Sequence, residues 1–158
     1  MCIRDSALQR ARATLKRHLP EQRLDWAPGT DPTRAERALL DRYLDATERA
    51  DADAFVAMMR EDARFFMPPQ PGTWVGREAI VAAWTEGGFG SDEFGHLRGV
   101  VTRVNRQPAV ACYVKRPGEA QHRAMAIDVL RVEGGAIADI VTFGPDSFAA
   151  LGLPEVLR

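Results

Sequence analysis

Apolar side chains recur at helical spacing early in the chain and alternate with polar ones later. Ala7, Leu8, Ala11 and Leu15 fall on one stripe, with Arg10, Lys16 and Arg17 away from it. Strong helix formers fill Ser6 to Leu19, and Pro20 stops the run, so the pattern predicts a helix over 6–19. The stretch 20–30 keeps no period and holds Pro and Gly, which makes it a linker. Within it, Leu24 and Trp26 are apolar enough to dock on a neighbour.

A second unit is predicted over 31–158. Asp31 before Pro32, or Thr33 with Glu36 as a capping box, opens a helix whose apolar positions are Leu39, Leu40, Tyr43, Leu44 and Thr47. Asp51 caps a short second helix, DADAFVAMMR, with Phe55, Val56 and Met59 inward. ARFFMP reads as a strand ended by Pro68 and Pro69, and WVGREAIVAAW turns from strand into a third helix near Gly76. Strands over 96–104 and 107–115 flank Asn105-Arg106, a two-residue turn because Asn tolerates positive φ. Strands over 121–132 and 136–143 flank Gly134-Gly135, a stronger hairpin signal, and DSFAALGL closes the chain as a short helix. The expected class is α+β, with helices on one face of a curved, largely antiparallel sheet.

Composition narrows this picture. At 158 residues the chain is one domain with an appendage, and its net charge of −1 excludes a polyanion binder as a whole. The charge is uneven: Ser6 to Arg23 holds Arg10, Arg12, Lys16, Arg17 and Arg23 against Glu21. Cys2 and Cys112 are too few for a disulfide framework and lack metal-site spacing, so neither a metal nor another cofactor is expected. A reducing compartment follows, and with no signal-like or membrane-spanning stretch the expected location is cytoplasmic.

The stretches DARFFMPPQPGTWVGREAI and AIDVLRVEGGAIADIVTF resemble the SnoaL-like branch of the NTF2-like superfamily. The resemblance implies a sheet wrapped into a cone around one deep pocket, open to a small apolar ligand, in a superfamily where homodimers through the outer sheet face are common. Fold alone selects no function, since the group spans isomerases, cyclases and regulatory domains. The front segment, SALQRARATLKRHLPEQRLDWAP, resembles the end of region 4 in extracytoplasmic-function sigma factors, with the Leu-x-Arg-Ala-Arg pattern at Leu8 to Arg12. One group of those factors carries a SnoaL-like domain behind region 4, with stretches similar to those at Met67–Ile80, Gln107–Tyr113, Ala126–Gly135 and Leu151–Pro154. RNA polymerase core and promoter DNA are the implied partners of a longer parent. Arg10, Arg12, Lys16 and Arg17 would then meet DNA phosphates, whereas by themselves they make a solvated basic helix face. Met1 to Asp5 resemble the translated transposon end used in sequencing libraries, which implies a gene that continues upstream and leaves Cys112 as the native cysteine.

For pocket chemistry the candidates are Asp128 and His122 on one strand, Tyr113 on its neighbour and Asp139 on the last. Period two puts His122, Ala124, Ala126 and Asp128 on one face. An apolar cone would raise the pKa of Asp128 and fit it to act as a base. The structural alternative is a carboxylate fixed by Arg77 or a tyrosine. Near a hairpin end, His122 is expected to be exposed. Trp74, Arg77, Tyr113, Met125 and Asp128 are the expected ligand-pocket residues, with Arg77 free to pair with an anionic group or a nearby carboxylate. GGFGSDEFG at 87–95 lacks the strand-then-helix setting of a phosphate loop and is expected to lie over the pocket. No paired-acid motif of known spacing accompanies these residues, so the expectation is a non-catalytic regulatory domain. A free-standing isomerase or cyclase and a non-catalytic ligand carrier or dimerisation module are the alternatives.

Overall fold

The structure is a computed structural model that describes residues 32–157, together with Arg10 and Thr14, both helical and exposed. Arg12, Lys16, Arg17, Leu24 and Trp26 lie outside the described residues. The element order is α1 (Arg34–Arg49), α2 (Ala52–Met58), β1 (Met59–Phe66), β2 (Trp74–Val75), α3 (Arg77–Glu86), β3 (His96–Val104), β4 (Gln107–Lys115), β5 (His122–Glu133), β6 (Ala136–Phe143), α4 (Ser147–Ala150) and β7 (Val156–Leu157).

Local chemistry sets the helix starts. At α1 the Thr33 side chain accepts from the Glu36 amide at 3.1 Å while Glu36 accepts from the Thr33 amide at 2.7 Å, a complete capping box. Asp51 caps α2 through the Ala54 amide at 2.9 Å. The second helix is shorter than its sequence pattern suggests. It ends at Met58, and Met59 and Arg60 already belong to β1. Met59 pairs with Ile137 of β6 and is buried, so sheet pairing and burial override helix propensity at this junction.

The strands run β2-β1-β6-β5-β4-β3 in one sheet, with β7 pairing to the end of β5. β3 to β6 form the expected antiparallel meander, but β1 joins β6 in parallel. The meander turns follow their sequence signals. Asn105 and Arg106 both take positive φ, 49° and 67°, as do Gly134 and Gly135.

The sheet has apolar residues on both faces. On the helix-covered face, Val110, Cys112, Leu130 and Ile140 pack with Leu39, Tyr43, Phe55 and Ile80. On the outer face, Ala109, Ala111, Tyr113, Ile127 and Val129 pack under Phe148. Gly99 permits close approach of α1 to β3, because a Cβ there would stand 2.4 Å from Leu44 Cδ2. Bulges interrupt β4–β5 at Cys112/Tyr113 and β5–β6 at Arg131/Val132. Each switches the face of the residues beyond it.

Candidate ligand cavity

The helix-covered face encloses a cavity of about 480 Å³. Phe55, Phe65, Trp74, Trp84, Phe89 and Phe94 supply an aromatic wall, joined by edge contacts such as Phe55–Trp84 at 5.3 Å between ring centres. The wall comes from α2, β1, β2, α3 and the loop before β3, so it exists only when helices and sheet are docked. The glycine-rich stretch contributes Gly87, Phe89 and Phe94, which puts it at the cavity as expected.

Against this wall stands one formal charge among the described lining residues, Asp128. Tyr43 Oη donates to Asp128 Oδ2 at 2.9 Å and Cys112 Sγ to the same oxygen at 3.5 Å. Thr142 Oγ1 donates to Oδ1 at 2.5 Å. All three donors are neutral. Burial pushes the Asp128 carboxyl above its usual range, and the three hydrogen bonds offset only part of that. Burial and the neighbouring Asp128 charge push both Tyr43 and Cys112 well upward. These shifts keep Cys112 in its thiol form, a donor to Asp128.

Trp74, Met125 and Asp128 line the cavity as the sequence suggested; Tyr113 and Arg77 do not. Tyr113 is adjacent to cavity-lining Cys112 on an extended strand, so it points to the outer face and packs on Phe148 at 5.2 Å between ring centres. Arg77 caps no ligand space and pairs instead with Glu78 at 3.1 Å, with Glu61 at 3.9 Å. The expected common face of His122, Ala124, Ala126 and Asp128 is broken by the bulge. Cys112 pairs with Ala126 but Tyr113 with Ala124, so Met125 is the extra residue. Ala126 and Asp128 face the cavity, Ala124 joins the outer cluster, and His122 pairs with Leu157. His122 is half-buried rather than exposed; burial, then Arg98, Lys115 and His96, hold its pKa down.

Asp139 also lies outside the cavity lining. Arg64 grips it with two bonds, 2.8 and 3.0 Å, and Arg131 adds a third contact. Burial alone would raise its pKa, but the hydrogen bonds from Arg131 and Arg64 outweigh that and lower it.

Of the two foreseen partners of Asp128, a tyrosine is present as Tyr43 and Arg77 is not; Thr142 and Cys112 were not foreseen. Tyr43 carried only an apolar-stripe signal. Counting back from the Gly134-Gly135 turn puts Val141 opposite Asp128; the bulge at Arg131/Val132 shifts the partner to Thr142. Among the described residues no cluster of His, Cys, Asp and Glu could hold a metal ion, and no helix is long and apolar enough to cross a membrane.

A sheet and covering helices around a cavity, with this strand order, define an NTF2-like fold. Solved structures share the fold. A Kribbella flavida protein proposed to be a ketosteroid isomerase superposes with a TM-score of 0.55 and 22% identity, covering 72% of this chain and 79% of that one. An NTF-2 like protein from Burkholderia xenovorans gives 0.55 and 14%, covering 68% and 80%. Within that class the chain belongs to the SnoaL-like domain family, whose profile matches residues 40–140. The chain is also 32% identical over 154 residues to the ECF RNA polymerase sigma factor SigG of Mycobacterium tuberculosis, in strains CDC 1551 / Oshkosh and ATCC 25618 / H37Rv. That match covers 97% of this chain and 40% of those relatives, so the chain spans about two-fifths of their length.

Proposed function

We propose that this chain is the SnoaL-like regulatory end of an extracytoplasmic-function sigma factor, acting in the cytoplasm on RNA polymerase and promoter DNA as part of a longer parent. The observation that carries this reading is the reach of the SigG similarity. It covers 97% of the chain, whereas the SnoaL-like profile stops at residues 40–140. The basic front segment is therefore similar along with the domain behind it. In the parent, Arg10, Arg12, Lys16 and Arg17 contact DNA phosphates, and the domain over 31–158 sets promoter output by packing against the sigma regions or the linker at Leu24 and Trp26.

The domain is non-catalytic in this reading. Support comes from the separation of the titratable groups: His122, Tyr113 and Asp139 stand outside the cavity lining that holds Asp128. Asp128 has no second acid or base in that lining except the Tyr43 and Cys112 groups it already bonds. The test is run-off transcription by the reconstituted polymerase with the full-length parent and with the parent cut before residue 32. Altered promoter output on truncation is expected, and identical output overturns the regulatory role.

One observation favours a second reading, an isomerase acting on a small apolar substrate: a carboxylate of raised pKa in an aromatic cavity is a competent base. Turnover of a cyclic enone substrate panel that vanishes in Asp128→Asn would establish it.

A further inference from the structure

The charge of Asp128 lacks a partner. The buried carboxylate Asp139 has two arginines; Asp128, half-buried on the cavity wall, has a tyrosine, a threonine and a thiol, with no ion pair to any described residue. A carboxylate offers about four acceptor positions. Oδ2 receives Tyr43 and, at 3.5 Å, Cys112, whose thiol also reaches Val110 O at 3.9 Å; Oδ1 receives Thr142 alone among the described residues, which leaves it an open acceptor position toward other donors. Three neutral donors aimed at one group favour its ionised form but offset only part of its burial, and none of them balances its charge.

The rest of the lining matches one kind of visitor. Eight aromatic side chains, the six of the wall with Tyr43 and Phe143, line a space of about 480 Å³. Ring faces attract a cation and add little for a neutral group of the same shape. Among the described residues no lysine or arginine lines the cavity to accept an anionic ligand. A neutral hydroxyl would fill the open position on Oδ1 and leave the negative charge uncompensated in an apolar enclosure.

We propose that the cavity binds a compact organic cation, a protonated amine on an apolar body, with its ammonium on Asp128 Oδ1 and its hydrocarbon against the aromatic wall. This adds a ligand to the regulatory reading and rests on that reading for its biological use. Binding is nevertheless read on the present chain without polymerase. A failure here leaves the transcription test standing, and a failure there leaves the binding measurement standing.

The experiment uses three probes of nearly equal shape: 1-adamantylamine, 1-adamantanol and 1-adamantanecarboxylate. Trp74 and Trp84 in the wall report binding by fluorescence, and calorimetry on the full chain gives the affinity. The expected order is amine over alcohol by about tenfold or more, with the carboxylate weakest. Asp128→Asn should remove the amine's advantage and leave the alcohol nearly unchanged. Thermal unfolding checks that this variant is folded; if it is not, the probe order on the unaltered chain decides alone. Alcohol equal to or tighter than amine, a carboxylate that binds best, or no amine binding at millimolar concentration overturns the proposal. So does an amine preference that survives in folded Asp128→Asn.

Discussion

Two carboxylates on neighbouring strands of one sheet meet opposite treatment. Asp139 on β6 is held by Arg64 and Arg131, and its pKa is lowered. Asp128 on β5 is held by Tyr43, Thr142 and Cys112, and its pKa is raised. Burial pushes both upward and is the largest single influence on each. What differs is the charge of the donors. A charged donor returns the cost of desolvation, and a neutral one returns part of it. The Asp139 site therefore reads as a cross-strand clamp joining β1, β5 and β6. The Asp128 site reads as a pocket left with unfilled electrostatic demand.

The tyrosines repeat the contrast. Tyr43 and Tyr113 are both buried. Tyr43 donates to Asp128, whereas Tyr113 Oη finds no partner among the described residues. One hydroxyl is part of a network and the other is an uncompensated polar atom under Phe148.

The sharpest way to break the comparison is Asp139→Ala. It leaves Arg131, only 15% exposed in its side chain, without its cross-strand carboxylate. A loss of about 2–3 kcal/mol in urea unfolding is expected, less than for a fully buried pair because Arg64 reaches water. A loss below that of Tyr43→Phe would remove the clamp from the account.

Next comes Tyr43→Phe. Taking one donor from a buried carboxylate should cost about 1–1.5 kcal/mol and push the Asp128 pKa further up. Carbon-13 NMR of the Asp128 carboxyl across a pH titration reads the second effect, and an unmoved titration would show that the hydrogen bond does not hold the charge.

The two acids also predict opposite pH behaviour. Asp139 is lowered in the fold, so its contribution is present above the unfolded carboxylate value of roughly 3.9 and fades as pH falls through its folded pKa. Asp128 is raised, so its contribution is favourable below that unfolded value and is lost as pH rises through its folded pKa. The stability deficit of Asp139→Asn should shrink in acid. Asp128→Asn should gain on the unaltered chain between pH 4 and pH 7. Denaturant midpoints measured from pH 4 to pH 7 for Asp128→Asn, and from pH 4 downward for Asp139→Asn, check the signs.

The smallest effect belongs to Tyr113→Phe, expected within about 0.5 kcal/mol of the parent and on the stabilising side, because it removes a polar atom with no described partner. A thermal-shift measurement showing a clear loss would mean that this hydroxyl is satisfied after all.

By itself the sequence determined the elements whose causes are local. The Thr33–Glu36 capping box, the Asp51 cap, the turns at Asn105-Arg106 and Gly134-Gly135 and the meander between them all depend on residues a few positions apart. Asp128, Trp74 and Met125 were legible as pocket residues for a related reason: the resemblance fixed the fold, and their positions in it follow. Tertiary structure alone decided the rest. A bulge leaves no reliable trace in side-chain alternation, yet one extra residue at Met125 sent His122 and Ala124 away from the face of Asp128. A second at Arg131/Val132 put Thr142 rather than Val141 beside it. Tyr43 reaches Asp128 from 85 positions away, and the parallel pairing of β1 with β6 brings Arg64 to Asp139 across 75. Such partners are chosen by how helices and strands dock, and docking depends on the summed shape of both surfaces rather than on any local pattern.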